Sequence, residues 1–133
     1  WRRAARYGTG WLPYMYTPEM LEESNQRIAE YRAEEGNEVP VDPGLFIFFC
    51  CHEDNATAVD YANQRLSKQY NQDFSHMIDK YAIAGDPDRC VERLTEYIDA
   101  GARTVILSAA SPMNYVERAE SLMAQEVLPR YRT

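Results

Sequence analysis

The chain has 133 residues, 45% of them hydrophobic and 26% charged, which places it among ordinary globular domains and away from disordered or fibrous compositions. Its formal net charge of −7 comes from acidic residues scattered along the chain, and this argues against nucleic acid or an anionic membrane as partner. The longest apolar run, residues 44–51, is far short of a membrane span, no charged-then-apolar leader opens the chain, and three cysteines do not make a disulfide framework, so a cytoplasmic protein is expected.

The first eight residues, Trp1-Arg2-Arg3-Ala4-Ala5-Arg6-Tyr7-Gly8, read as the end of a helix, with cations in its last turn and Gly8 as the stop. This implies that something precedes them. Trp11-Leu12-Pro13-Tyr14 is short, apolar and interrupted by proline, which predicts a brief buried strand leading into a loop. Thr17-Pro18-Glu19 is a helix start, with Thr17 as N-cap and Pro18 at the first helical position, where a missing N–H costs nothing. The helix is expected to run to about Glu35, with Met20, Leu21, Ser24, Ile28 and Tyr31 near one face and Gly36-Asn37 ending it.

Pro43-Gly44 introduces Leu45-Phe46-Ile47-Phe48-Phe49-Cys50-Cys51, apolar at every position. Alternation would mean one wet face; a continuous run of this length predicts a strand buried on both faces, as in a parallel sheet covered by helices. Asn55-Ala56-Thr57-Ala58 opens a helix carrying Ala58, Tyr61, Ala62 and Leu66 at helical spacing, and residues 74–83 read as a further helical segment. Asp86-Pro87-Asp88 repeats the cap-then-proline signal, and the helix it starts carries a stripe of Val91, Leu94 and Ile98, with Cys90 as a small buried hydrophobe, and closes at Gly101. A β-branched strand follows over residues 103–108, a loop at Pro112-Met113-Asn114, and an amphipathic helix over 115–128 before Pro129. The order β-α-β-α-α-β-α predicts parallel strands joined by right-handed crossovers, an α/β fold with three strands. Three parallel strands leave two open edges of unpaired backbone groups, which calls for neighbours from the same protein or another chain.

Three stretches together resemble the bacterial luciferase-like flavin-dependent monooxygenases and their deazaflavin-using relatives. Arg3-Ala4-Ala5-Arg6-Tyr7-Gly8-Thr9-Gly10-Trp11-Leu12-Pro13 is similar to that family's helix-to-strand turn, although Thr9 stands where the family very often has Asp. Ala82-Ile83-Ala84-Gly85-Asp86-Pro87-Asp88-Arg89-Cys90-Val91 resembles the start of its penultimate helix. Ala100-Gly101-Ala102-Arg103-Thr104-Val105-Ile106-Leu107, with Val127-Leu128-Pro129, resembles its last strand and closing helix. The resemblance implies a partial TIM (β/α)8 barrel: residues 1–133 as the last three β/α units, the N-terminal units absent, because a complete barrel takes roughly 250 residues. It further implies FMN or an 8-hydroxy-5-deazaflavin coenzyme and a small-molecule substrate in the complete oxidoreductase, with this chain alone binding cofactor weakly or not at all and being inactive.

Barrel enzymes carry their active sites at the carboxyl ends of the strands. That rule selects Tyr14 and Tyr16, then Cys50, Cys51 and His52, then Ser108 and Ser111; of these Tyr14, Tyr16, Cys51, His52, Ser108 and Ser111 are the expected cofactor-binding residues. His52 follows the most apolar strand and has a ring able to hydrogen-bond or carry a proton near neutral pH; the competing reading is a solvent-facing loop histidine. Cys50-Cys51-His52-Glu53-Asp54 is not a metal site, because adjacent strand residues point to opposite faces. Gly8-Thr9-Gly10 follows a helix and precedes a strand, the reverse of the dinucleotide fingerprint, and reads as a tight turn. Tyr61, Tyr97 and Tyr115 are expected to pack with the hydroxyl at the surface. The alternative to an enzyme fragment is a non-catalytic α/β module that self-associates through its open sheet edges, and in either case a homo-oligomer is expected from an isolated chain.

Overall fold

The computed structural model describes Trp1, Arg3, Ala5 and residues 10–37 and 41–131. The expected stop at Gly8 and the turn through Thr9 lie outside the described residues; of the opening helix, Ala5 N–H donates to Trp1 O at 2.9 Å, a helical bond. Among the described residues, no helix is long and apolar enough to cross a membrane.

The elements in order are β1 (Gly10–Trp11), α1 (Pro18–Glu34), β2 (Asp42–Cys51), α2 (Asn55–Tyr70), a single turn α3 (Ile78–Tyr81), β3 (Ala82–Gly85), α4 (Pro87–Asp99), β4 (Thr104–Ala109) and a closing helix beginning with α5 (Val116–Leu122). The chain forms two compact units: residues 1–46 with 96–106, and residues 47–95 with 107–133.

In the first unit the start of β2 pairs in parallel with β1, Gly10 opposite Asp42 and Trp11 opposite Pro43. Phe46 N–H continues the ladder to Pro13 O at 2.9 Å, and Tyr14 bridges Phe46. Arg103 N–H donates to Pro43 O at 2.8 Å, bringing in the start of β4. Helix α1 begins as its sequence dictates: the Thr17 hydroxyl accepts from Met20 N–H at 3.2 Å, and Pro18 occupies the first turn. Gly36, at φ +69°, takes the left-handed conformation that ends it. The buried face is Leu21, Ser24, Ile28 and Arg32; Met20 is exposed and Tyr31 half-buried, against the expected stripe. Arg32 is admitted because its guanidinium reaches Ala5 O at 2.6 Å, which supplies a partner for a charge-bearing group otherwise costly to bury.

In the second unit the end of β2 pairs in parallel with β3, Phe48 to Cys51 lying opposite Ala82 to Gly85. Ala110 N–H donates to Phe49 O at 2.8 Å. Partner numbers on β2 and β4 rise together, from Pro43 with Arg103 to Phe49 with Ala110, so these two strands also run the same way. Residues 47–51 are all buried, as their unbroken apolar character requires. Helix α2 lays Ala58, Ala62 and Leu66 on its inner face.

Three expectations need correction. The segment over 74–83 is not a helix; only Ile78–Tyr81 makes a turn, and Ala82–Gly85 is a fourth strand, fully buried. Alanine favours helix in isolation, and pairing along the end of β2 overrides that preference. The buried stripe of α4 is Cys90, Leu94 and Tyr97, with Arg93 beside it, while Ile98 is 38% exposed and Val91 half-buried. The helix is thus turned by about one residue from the face its aliphatic side chains suggest. The closing helix changes pitch: α5 gives way to a π-helical turn, Met123–Val127, and a 3-10 turn, Leu128–Tyr131. Pro129 lacks an N–H and its ring opposes the carbonyl four residues back, so the regular ladder cannot run through it and the preceding turn widens.

Candidate functional site

The carboxyl end of β2, in the second unit, brings together a group of aromatic and charged side chains. His52 is held at both ends of its backbone turn: its own N–H donates to Gly85 O at 3.1 Å, and its ring Nδ1 accepts from Asp54 N–H at 2.8 Å. The ring stacks on Tyr115, centroids 5.0 Å apart at 28°, and meets Tyr61 edge-on at 5.7 Å. Tyr61 and Tyr115 contact each other at 5.2 Å, closing an aromatic trio. Tyr115 is anchored in turn, its hydroxyl donating to Cys51 O at 2.9 Å, and burial pushes that phenol up to about 12. Beside the trio, Arg118 pairs with Glu53 at 2.6 Å.

The loop after β2 is shaped by Asp54, which caps α2 by accepting from Thr57 N–H at 3.2 Å and from the Thr57 hydroxyl. Those bonds, the hydroxyl's first, hold the Asp54 carboxyl below its ordinary range. Gly85 completes the frame from β3. A Cβ there would fall 2.5 Å from Asn55 Oδ1, and Asn55 Oδ1 accepts from Asp86 N–H at 3.2 Å to start α4.

Behind this surface lie the three cysteines, all free and buried. The Cys90 thiol hydrogen-bonds the Cys51 sulfur, and that bond, followed by burial, pushes the Cys90 thiol upward. Burial pushes Cys50 up to about 12 from an ordinary value of 9.0. The unfolded chain releases the Cys50 proton near the ordinary value and the folded protein only near 12, so this thiol's contribution to stability is complete below pH 9 and is lost as pH rises to about 12. Cys50→Ala is therefore expected to flatten the fall in urea midpoint between about pH 9 and about pH 11; an unchanged slope would show that Cys50 does not supply it.

Of the six residues selected from sequence, Cys51 and His52 belong to this arrangement, although Cys51 contributes its carbonyl and buries its sulfur. Ser108 is half-buried on β4, and Ser111 is buried with its hydroxyl on Pro112 O at 3.3 Å. Tyr14 and Tyr16 are in the first unit, separated by Met15 at φ +59°. Tyr14 is exposed and edge-on to Phe46 at 6.3 Å, and Tyr16 O accepts from the Tyr97 hydroxyl at 2.7 Å. Tyr97 is wholly buried, so the expectation of a surface hydroxyl fails there: Tyr16 O supplies the partner that makes burial of a phenol possible. For Tyr115 the hydroxyl likewise turns inward, to Cys51 O. Tyr61 and Tyr115 are not among the residues the sequence selects, because tyrosines at helical spacing read as packing; the clue available in sequence is their position on the helical segments that follow β2 and β4. Among the described residues, no group of three or more His, Cys, Asp or Glu is placed to hold a metal ion.

Parallel strands, flanking helices and a polar-aromatic cluster at a strand's carboxyl end define an α/β fold of the kind found in luciferase-like barrel enzymes. The family described as luciferase-like monooxygenase matches residues 1–104, and the chain belongs to it. A 5,10-methylenetetrahydromethanopterin reductase of Methanopyrus kandleri is 39% identical over 57 residues, covering 42% of this chain and 16% of that protein. The solved structure of a coenzyme F420 dependent tetrahydromethanopterin reductase from Methanopyrus kandleri superposes with a TM-score of 0.71 at 24% identity, over 98% of this chain and 48% of its own. An F420-dependent secondary alcohol dehydrogenase gives 0.80 at 17% identity, over 99% and 46%. A monooxygenase from Streptomyces bottropensis gives 0.76 at 20% identity, over 98% and 44%. The chain thus spans less than half the length of these solved structures and about a sixth of the curated relative.

Proposed function

We propose that this chain supplies the C-terminal β/α units of a flavin- or deazaflavin-dependent oxidoreductase, with the remaining barrel units contributed by residues outside it. Family membership supports the reaction class, and the short share of its relatives' length supports a shared site. The observation that carries the reading is the cluster at the carboxyl end of β2, where barrel enzymes hold their ligands.

The donor set there fits a planar heterocycle bearing ring carbonyls: aromatic side chains beside a ring N–H donor and an Arg118–Glu53 pair. When bound, a flavin-type coenzyme supplies the redox chemistry, accepting or giving a hydride. In this reading His52 and Tyr61 contact the bound molecule, Tyr115 holds His52 in place, and the Arg118–Glu53 pair borders the site. Ser108 and Ser111, of the same unit, are assigned to line the cofactor site, Cys51 through its backbone, and Tyr14 and Tyr16, in the first unit, are assigned a cofactor-contacting role of their own.

The test is a fluorescence titration of the full-length protein with FMN and with coenzyme F420. Saturable one-to-one binding of one of them is expected, with the 133-residue chain alone binding at least about 100-fold more weakly because the other units supply most contacts, a difference of about 2.7 kcal/mol. Equal, tight binding by the short chain would overturn the shared-site reading, and no binding of either coenzyme by the full-length protein would overturn the reaction class. A second reading, self-association of the chain by itself, is favoured by exposed apolar side chains of the first unit, Leu12 and Tyr14 just after β1 and Ile106 on β4.

A further inference from the structure

The ring of His52 has one nitrogen whose hydrogen-bonding sense is set by its surroundings. A backbone N–H can only donate, so the 2.8 Å bond from Asp54 N–H requires a lone pair on Nδ1. A neutral ring then carries its single proton on Nε2. Turning the ring over about Cβ–Cγ would put Cδ2 where Nδ1 stands and forfeit that bond, while the stack on Tyr115, itself tied to Cys51 O, holds the plane of the ring. The backbone of His52 is fixed by its own bond to Gly85 O, and Tyr61 closes one edge of the ring. Among the described residues nothing accepts from Nε2, and the side chain is only half-buried. One polar group of known sense is thus presented at the strand's carboxyl end.

Resting on the function proposed above, we propose that His52 is a tautomer-fixed hydrogen-bond donor whose Nε2–H recognises a ring carbonyl oxygen of the flavin-type coenzyme. The pyrimidine carbonyls are common to FMN and to coenzyme F420, so the donor suits either. A neutral Nε2–H cannot accept a bond, so this position selects an acceptor oxygen and disfavours an N–H donor placed opposite it. A histidine serving only to pack against Tyr61 and Tyr115 would be replaceable by another flat ring.

The full-length protein separates these outcomes in two measurements. With 15N-labelled histidine, the neutral form of His52 in the coenzyme-free protein is expected to be protonated at Nε2 and bare at Nδ1; the opposite tautomer overturns the proposal. In titrations with FMN and coenzyme F420, His52→Phe keeps the ring and removes the donor, and His52→Gln keeps an N–H donor. For whichever coenzyme the parent protein binds, the Phe variant is expected to bind about 10-fold more weakly and the Gln variant within about 3-fold of the parent, the loss of one hydrogen bond. A Phe variant that binds as the parent does overturns the donor role while leaving the reaction class intact. A parent protein that binds neither coenzyme overturns the class and this inference with it.

Discussion

Truncating Tyr97 to Ala is expected to lower stability by about 3–5 kcal/mol, the range for large aromatic side chains removed from packed cores. Tyr97 has no exposed surface, so truncation leaves a void that helix α4 cannot collapse into without moving its backbone. It also removes the hydroxyl that satisfies Tyr16 O at 2.7 Å. Tyr97→Phe separates the two effects: it keeps the ring and forfeits only the bond, so a loss of about 1 kcal/mol is expected. Denaturant unfolding followed by circular dichroism measures both. An Ala variant no less stable than the Phe variant would mean that the ring is not packed as described.

Gly85→Ala is expected to cost about 1–3 kcal/mol, as overpacking does in a close-packed interior. The added methyl group would sit 2.5 Å from Asn55 Oδ1 and 2.6 and 2.7 Å from Arg89 Cγ and Cβ. The Asn55 amide could swing away, at the loss of its bond from Asp86 N–H, but Arg89 Cβ is fixed by a helix whose start is capped through Arg89 N–H to Asp86 Oδ1 at 2.8 Å. Relief therefore requires β3 to move, and with it the carbonyl of Gly85 that holds the His52 N–H. Removing the amide as well, in Gly85→Ala with Asn55→Ala, is expected to recover only part of the loss. A single variant with the parent's unfolding midpoint would contradict the close approach.

How much of this was legible beforehand follows from the range over which each signal acts. Thr17-Pro18 and Asp86-Pro87 announce helix starts through bonds made within three residues, and both caps are formed. The unbroken apolar run ending at Cys51 declares its own burial, and β2 is there, beginning three residues earlier than its apolar run. By contrast Ala82-Ile83-Ala84 has no strand character of its own; it extends because the end of β2 offers it a ladder, which nothing nearby in the chain reveals. The site divides the same way. His52 was selected by position after a strand, whereas Tyr115 reaches it across 63 residues of chain, and the sense of the ring's hydrogen bond depends on a backbone turn two residues long. The burial of Tyr97 is not legible nearby in the chain, because it depends on a carbonyl 81 residues away meeting its hydroxyl.

The wet apolar side chains of the first unit carry a consequence for handling. Leu12 and Ile106 expose 50% and 44% of their surface, and Tyr14 exposes 52%. Kept by itself in dilute buffer, the polypeptide offers oily ground that fluorescent dyes such as ANS would light up, that raised salt would drive into precipitates, and that a covering of further protein would turn dark.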